Sequence, residues 1–195
     1  MHLSMHNWMR AEPIEVTIRR LAKYGYESIE IGGEPDKYDT REVRGLLQEN
    51  NLRCWGAISL MFIGLDLIQA DTAGRANTVQ YLKDCVTMVK ELDGEIMSIV
   101  PSEVCKVSAQ ADPDTEWNWA VEGLREVYAH GQKEGIRIAV EPLNRFETNF
   151  LNRHDQAMLL AKAVGPECGV CLDAFHMNME EANFRQALLD TGDML

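Results

Sequence analysis

The sequence predicts an α/β fold of the TIM-barrel type, (β/α)₈, of which about six βα units are present. Short apolar runs of strand character alternate with longer segments whose apolar residues recur at helical spacing, which is typical of βα units around a parallel sheet. Two of the strand-like runs also end on carboxylates, and barrel enzymes place their catalytic residues where strands end. Both observations favour a barrel whose site lies at the carboxyl ends of its strands.

Six segments are predicted to form the strands. They span residues 2–8, 28–33, 53–59, 95–102, 137–143 and 169–176. The segments between them carry apolar residues three or four positions apart, so each is expected to form a helix with one face on the sheet. The first helix begins near Pro13, a residue that suits the first turn of a helix because proline lacks a backbone N–H. The last helix is expected over residues 180–190.

The connections favour a barrel over an open, doubly wound sheet of six strands. A doubly wound fold that binds nucleotides carries a glycine-rich turn after its first strand, and residues 6–13 contain no such pattern. The longest connection, residues 60–71, follows the third strand and is a candidate active-site loop. The open sheet stays an alternative.

The predicted units do not close the barrel, because a TIM barrel needs eight strands. We therefore expect a single, incomplete barrel domain over residues 1–195 that lacks the last two βα units. Two strand edges would be unpaired, and natural proteins cover or pair such edges. A homo-oligomer is the expected result, with an inactive barrel fragment as the alternative.

The composition excludes several classes of protein. A hydrophobic content of 46% and a charged content of 26% are typical of a globular domain. The net charge of -12 argues against a nucleic-acid partner, since such partners are bound by clustered Lys and Arg. No apolar stretch is long enough to span a membrane, and we expect a cytoplasmic protein. The five cysteines form an odd set and are expected to be reduced core thiols.

Two neighbouring strands are predicted to end on carboxylates. Glu141 follows the run Arg-Ile-Ala-Val, and Asp173 follows Val-Cys-Leu, with His176 three residues later. Oxygen ligands from adjacent strands suit a divalent metal, Mn²⁺ first, with Mg²⁺ or Co²⁺ as alternatives. His176 would either join the metal site or hold a substrate hydroxyl. In the alternative interpretation, each carboxylate caps a helix or pairs with an arginine.

Two motifs resemble those of a known family. Residues 141–147, Glu-Pro-Leu-Asn-Arg-Phe-Glu, and residues 172–181, Leu-Asp-Ala-Phe-His-Met-Asn-Met-Glu-Glu, keep the order and spacing of motifs in the ketose 3-epimerases. This group includes the D-tagatose and D-psicose 3-epimerases and lies within the xylose-isomerase-like superfamily of sugar phosphate isomerases and epimerases. The resemblance covers the whole chain in outline and is weaker before Arg137.

The resemblance implies specific roles for these residues. Glu141 would be a metal ligand and a catalytic acid/base, and Asp173 would be a metal ligand. Glu147 and His176 would bind hydroxyl oxygens of a small sugar substrate. In that family, one carboxylate removes the proton at C3 of a metal-bound ketose and another returns a proton to the opposite face. The sequence therefore predicts a metal-dependent sugar isomerase or epimerase.

The chain departs from the family pattern at its end. The remaining metal ligands of the family, a His on the seventh strand and a Glu on the eighth, have no counterpart before Leu195. We therefore expect the 195-residue chain alone to be inactive or nearly so. Alternatives are a lyase of the same fold, either a keto-inositol dehydratase or a 3-keto C-glycoside deglycosidase, and a DNA-repair endonuclease, which the acidic composition disfavours.

Several further side chains have two possible roles. Trp8, at the end of the first predicted strand, is expected to line the sugar pocket, whereas Trp117 lies on a helical stripe and is expected to pack in the core. Glu30 and His6 either touch the site or have a hydrogen-bonded structural role. The acidic pair at residues 180–181 is expected to form a solvated helix start, which the helix dipole favours.

Overall fold

A computed structural model describes residues 2–195. All six predicted strands are present, and they form one parallel sheet in which each strand lies beside its neighbour in sequence. The strands are β1 Ser4–His6, β2 Ser28–Gly32, β3 Arg53–Ile58, β4 Ile96–Ile99, β5 Arg137–Val140 and β6 Gly169–Val170. Because every connection returns the chain to the same end of the sheet, all the strands point their carboxyl ends in one direction.

Within residues 2–195, seven α-helices connect and follow the strands. They are α1 Ile14–Lys23, α2 Thr40–Glu49, α3 Thr72–Glu91, α4 Pro113–Glu134, α5 His154–Val164, α6 Ala174–Glu180 and α7 Phe184–Thr191, with 3₁₀ turns at Pro35–Lys37 and Gly192–Met194. Five of them begin after a side chain that accepts a backbone N–H of the first turn: Asp39, Asp71, Asp112, Asp173 and Asn183. None of the helices between residues 2 and 195 has the length and apolar character that crossing a membrane requires.

Apolar side chains between the sheet and the helices form the core. Ile29 and Ile31 of β2 are fully buried, whereas Glu30 between them is partly buried. Since side chains alternate across a strand, Glu30 projects from the opposite face of β2, away from these two isoleucines. The largest fully buried side chains include Ile18, Leu21, Met61, Leu67, Ile68, Leu82, Met88, Leu92, Met97 and Ile99.

The register of the sheet brings the ends of β5 and β6 together. Val140 of β5 is aligned with Ile99 of β4 on one side and with Val170 of β6 on the other. The backbone N–H of Glu141 still donates to the Ile99 carbonyl, at 2.9 Å. The residues that directly follow these strands therefore lie at one edge of the sheet.

The sixth βα unit differs from its prediction. A strand was expected over residues 169–176, but β6 ends at Val170, and residues 174–180 form α6. The helix begins there because the Asp173 carboxylate accepts the N–H of Phe175 at 2.7 Å, and aspartate is a preferred residue before a helix. The helix expected over residues 180–190 instead begins at Phe184.

Candidate metal centre

Glu141 lies at the carboxyl end of β5, directly after Val140. Its exposed fraction is only 7%, although it is an acidic residue. Burial of a carboxylate is unfavourable unless the charge is paired, hydrogen-bonded or bound to a cation. Pro142 follows and favours an extended conformation for Glu141, which continues the direction of the strand.

Asp173 and His176 lie together at the start of α6. Asp173 precedes the helix, and His176 is three residues further on, so both side chains share one face of the first turn. His176 Nε2 lies 3.8 Å from Asp173 Oδ2. His176 is 8% exposed, whereas 44% of the Asp173 side chain is exposed.

The structure brings these three predicted residues into one cluster. Glu141, Asp173 and His176 each offer a ligand atom, and the three atoms lie within 4.8 Å of one another. This is close enough for one ion to contact all three. Two carboxylates and one imidazole suit a first-row divalent cation such as Mn²⁺.

The electrostatics of the cluster also favour a cation. Burial first, and then the negative charges of Asp173, Glu30 and Glu147, together raise the pKa of Glu141 from its ordinary value of 4.5 to about 8. Burial and the charge of Asp173 likewise raise the pKa of Glu30, to about 7. All the charges that act on these two carboxylates are acidic, so a divalent cation would relieve a repulsion that the described residues leave uncompensated.

Glu30 was predicted either to touch the site or to be structural. The structure places it close enough to Glu141 and Asp173 for their charges to interact, and no hydrogen bond to its carboxylate is present among residues 2–195. His6 also faces the charge of Asp173, while burial lowers the pKa of His6. His6 Nδ1 is buried without a hydrogen-bond partner in the described chain. Both residues therefore lie beside the cluster.

Glu147 is held next to the cluster by Asn144. The Asn144 side-chain amide donates to Glu147 Oε1 at 2.8 Å and lies 2.9 Å from His176 Nδ1. Asn144 is 1% exposed and was not predicted as a functional residue. The sequence offered one signal for Asn144, which is that it lies between the predicted site residues Glu141 and Glu147. A buried polar side chain at such a position needs hydrogen-bond partners, and here the partners are residues of the site.

Trp8 lies in a cleft beside the cluster rather than in contact with it. The cleft has a volume of about 730 Å³, and Asn7, Tyr38 and Phe62 are among the side chains that line it. Trp8 is 44% exposed and stacks on His6, with ring centroids 4.7 Å apart. The loop after β3, predicted as an active-site loop, contributes Phe62 to this cleft.

The prediction for the acidic pair was wrong. Glu180 and Glu181 end α6 rather than begin a helix, and their side chains are only 4% and 6% exposed. Glu180 accepts hydrogen bonds from the backbone and guanidinium of Arg145, and Glu181 accepts from His154. These pairs tie α6 to the loop after β5 and to α5. Trp117, as predicted, packs against the core.

The cysteines follow their prediction only in part. Cys54, Cys85 and Cys168 are buried free thiols, whereas Cys105 is exposed. Cys171, two residues before Asp173, lies near Glu141, and burial together with that negative charge raises the pKa of its thiol. A raised pKa keeps a thiol protonated, so Cys171 is a poor metal ligand and a poor nucleophile in the unliganded protein.

The fold and the cluster agree with comparison to known proteins. Residues 18–193 match the family described as xylose isomerase-like TIM barrel. The chain belongs to this family. The predicted TIM-barrel-type fold and the predicted superfamily are therefore confirmed.

Individual proteins are similar to this chain over most of its length. L-ribulose 3-epimerase of Methylomonas sp. (strain DH-1) is 29% identical over 177 residues, which covers 89% of this chain and 61% of that protein. D-psicose 3-epimerase of Agrobacterium fabrum is 29% identical over 192 residues, which covers 91% and 64% respectively. The chain thus spans less than two thirds of the length of these relatives.

A solved structure supports the same relationship. D-allulose 3-epimerase from Methylomonas sp., in complex with D-allulose, superposes on this chain with a TM-score of 0.92 and 26% sequence identity. The superposition covers 100% of this chain and 70% of that one. All three of these proteins are named as 3-epimerases.

Proposed function

We propose that this protein is a metal-dependent ketose 3-epimerase that acts on a free monosaccharide. The observation that carries the proposal is the cluster of Glu141, at the end of β5, with Asp173 and His176, at the start of α6, where the buried Glu141 carboxylate has no cationic partner among the described residues. The relatives named as L-ribulose and D-psicose 3-epimerases support the choice of reaction.

Glu141 and Asp173 would hold the metal, with Mn²⁺ proposed first and Mg²⁺ or Co²⁺ as alternatives. Their oxygen atoms are hard donors, which suit these cations. The bound metal would supply polarisation of the carbonyl and hydroxyl oxygens of the sugar, which lowers the cost of the negative charge that develops on proton removal.

Glu141 would transfer the proton at C3. Burial raises the pKa of this carboxyl group, and the proposed cation would favour its ionised form, so Glu141 is suited to act as a general base near neutral pH. The C–H bond at C3 would break as the proton moves to a carboxylate oxygen of Glu141. Epimerisation also requires a proton to reach the opposite face of C3, which in the ketose 3-epimerases a second carboxylate supplies. When the reaction runs in reverse, Glu141 would return a proton to its own face of the sugar.

Glu147, His176 and Trp8 would hold the substrate. A carboxylate and an imidazole bind sugar hydroxyls directly, and an exposed indole face packs against the C–H groups of a sugar. The cleft beside Trp8 has room for the part of the ketose that extends away from the metal. We therefore place the reacting carbon near Glu141 and the distal carbons near Trp8.

The first test measures metal binding by the chain itself. We expect Mn²⁺ at about 100 times its dissociation constant to raise the free energy of unfolding by about 2.7 kcal/mol. Glu141→Gln and Asp173→Asn should each weaken Mn²⁺ affinity about 100-fold or more, since even residues that only orient ligands contribute 10- to 100-fold. Glu122→Gln, at an exposed carboxylate on α4, is the matched control and should have no effect.

The second test measures chemistry at C3. The metal-loaded protein is incubated with ketoses in D₂O, and proton NMR follows loss of the C3–H signal. Exchange at C3 that Glu141→Gln abolishes would support the proposal. Exchange at C1 would indicate an aldose–ketose isomerase instead. Because we expect the chain alone to be nearly inactive, the readout is slow exchange over a long incubation, and metal binding without any exchange would reject Glu141 as the base at C3 while leaving the metal site intact.

We also propose that the chain forms a homo-oligomer through β1 or β6, because each pairs with only one strand within residues 2–195. Light scattering over a dilution series tests this: a dimer that dissociates on dilution supports it, and a monomer at all concentrations contradicts it. A cytoplasmic location stays a prediction.

A further inference from the structure

Asn144 contacts two of the groups that the proposed function assigns to substrate binding. Its backbone N–H donates to His176 Nδ1 at 3.3 Å, and its side-chain Nδ2 lies 2.9 Å from the same nitrogen. Nδ2 also donates to Glu147 Oε1 at 2.8 Å. One fully buried residue therefore joins a side chain of the loop after β5 to a side chain of α6.

The orientation of the Asn144 amide follows from its partners. The backbone N–H of Phe146 points at Asn144 Oδ1 at 2.9 Å, and an N–H group can only donate. The atom facing Phe146 must therefore be the oxygen, and the atom facing Glu147 must be the NH₂ group. The ionised carboxylate of Glu147 only accepts, so it agrees with this orientation.

The same contacts determine the tautomer of His176. Two N–H donors of Asn144, one from the backbone and one from the side chain, face His176 Nδ1. In a neutral imidazole, one nitrogen accepts and the other carries the proton. His176 Nδ1 is thus the acceptor, and Nε2 carries the proton and faces the cluster near Asp173.

This tautomer distinguishes between the two roles open to His176. A metal ligand must present a lone pair, whereas Nε2 presents an N–H, which is the group needed to donate to a sugar oxygen. We propose that Asn144 is a positioning residue, which fixes His176 as an N–H donor toward the cluster and holds Glu147 beside it. The sugar-binding part of this inference rests on the proposed function, and the tautomer does not.

His154 provides an internal reference with the opposite arrangement. Its Nδ1 lies 2.9 Å from Glu181 Oε1, and a carboxylate accepts rather than donates. His154 Nδ1 must therefore carry a proton. The two histidines lie in the same protein and should give ring ¹⁵N signals of opposite tautomers under identical conditions.

The test uses ring ¹⁵N NMR of the ¹⁵N-histidine-labelled chain above about pH 8, where ordinary histidines are neutral. We expect a protonated Nε2 in His176 and a protonated Nδ1 in His154. Asn144→Asp replaces the NH₂ donor by an acceptor and should move the His176 proton to Nδ1. Adding Glu147→Gln to this variant removes the repulsion between the two carboxylates and keeps the test possible if the single variant does not fold.

Asn144→Ala is the milder variant, since it keeps the backbone donor. It should shift the ratio of the two His176 tautomers about fivefold toward protonated Nδ1, the effect expected for one hydrogen bond. Asn152→Ala is the matched control, because Asn152 also donates to two carbonyl oxygens of this loop, those of Leu143 and Thr148, yet does not contact His176. It should leave the tautomer unchanged.

The outcomes separate this inference from the proposed function. A protonated Nδ1 in wild-type His176, or a tautomer ratio that neither Asn144 variant changes, would overturn the inference. A shifted tautomer in a protein without C3 exchange would support the positioning role and reject Glu141 as the base at C3. If C3 exchange is present, we expect Asn144→Ala to slow it about tenfold while Mn²⁺ affinity stays within about twofold, since the residue is not a proposed ligand.

Discussion

Two buried acidic groups of this protein have opposite surroundings. The Asp66 side chain, in the loop after β3, is 2% exposed, and its Oδ2 lies 2.7 Å from Lys106 Nζ, while Oδ1 accepts the N–H of Ile68. Glu141, at the end of β5, is buried to a similar extent, but the charges around it are all negative. Burial alone therefore does not identify a functional carboxylate.

The difference lies in where the compensating charge comes from. Lys106 follows β4, so its ion pair with Asp66 joins two neighbouring loops and neutralises the charge within the fold. The carboxylates of Glu141, Glu30 and Asp173 instead repel one another. A bound cation would relieve this repulsion, so the cluster of carboxylates is stable in its charged form only with a cation present. The first arrangement is typical of a structural contact, and the second is typical of a binding site.

The largest expected effect is on the internally compensated pair. Lys106→Met should lower the free energy of unfolding by about 3–5 kcal/mol, because it leaves the Asp66 charge buried without a partner. Lys83→Met is the control: Lys83 pairs with the exposed Glu126, and loss of such a pair costs about 0–1 kcal/mol. Urea unfolding of both variants measures the effect. Equal losses would show that the two ion pairs do not differ in this way.

Removal of the Glu141 charge, which has no partner, should raise the stability of the metal-free protein, whereas Lys106→Met lowers it. Folded Glu141 keeps its proton up to about pH 8, whereas the unfolded chain loses it near 4.5. The folded state therefore binds more protons across this window, and the free energy of unfolding of the metal-free protein should fall as the pH rises. Glu141→Gln should flatten that dependence and stabilise the metal-free protein at pH 8 by about 1–3 kcal/mol.

Glu30→Gln should flatten the profile less, because the pKa of Glu30 is raised only to about 7. Asp155→Asn is a control of opposite sign: the hydrogen bonds from Arg153 lower the pKa of this exposed carboxyl group, so its removal should cause a small loss of stability. Urea unfolding at several pH values without metal measures all three. A metal-free profile that rises with pH and is unchanged by Glu141→Gln would contradict the prediction.

Glu180 is a buried carboxylate whose cationic partner is exposed, and its replacement should give the smallest change in stability. Its carboxylate is buried, but its partner Arg145 is 63% exposed and reaches it from the surface. Glu180→Gln should cost about 1 kcal/mol, since water can solvate the guanidinium that remains. Thermal unfolding measures this change. A loss as large as that of Lys106→Met would mean that the exposure of the partner does not moderate the cost.

The repeated βα units could be predicted from the sequence because their periodicity is local. Each strand candidate is an apolar run of a few residues, and each helix carries its apolar face at fixed spacing, so neither depends on distant contacts. The end of β6 was predicted wrongly, because the sequence pattern did not distinguish a strand end from a helix cap. Asp173 was interpreted as the end of a strand, whereas its side chain caps α6.

The acidic residues were the harder part of the site to predict. Glu141, Asp173 and His176 were expected to lie together, and they do. The sequence did not reveal that Glu180 and Glu181 are paired within the fold, because Arg145 and His154 lie 35 and 27 residues away. Nor did it reveal Asn144, whose partners are brought together only when α6 packs against the loop after β5.

The sequence by itself determined the fold class, the order of the βα units and the carboxylate at the end of β5, since these follow from local patterns and from the geometry of parallel strands. Only the tertiary structure decided which buried carboxylates are compensated. That property depends on the distance between charges from different βα units, and the interaction of two charges is set by their separation and burial rather than by their positions in the chain.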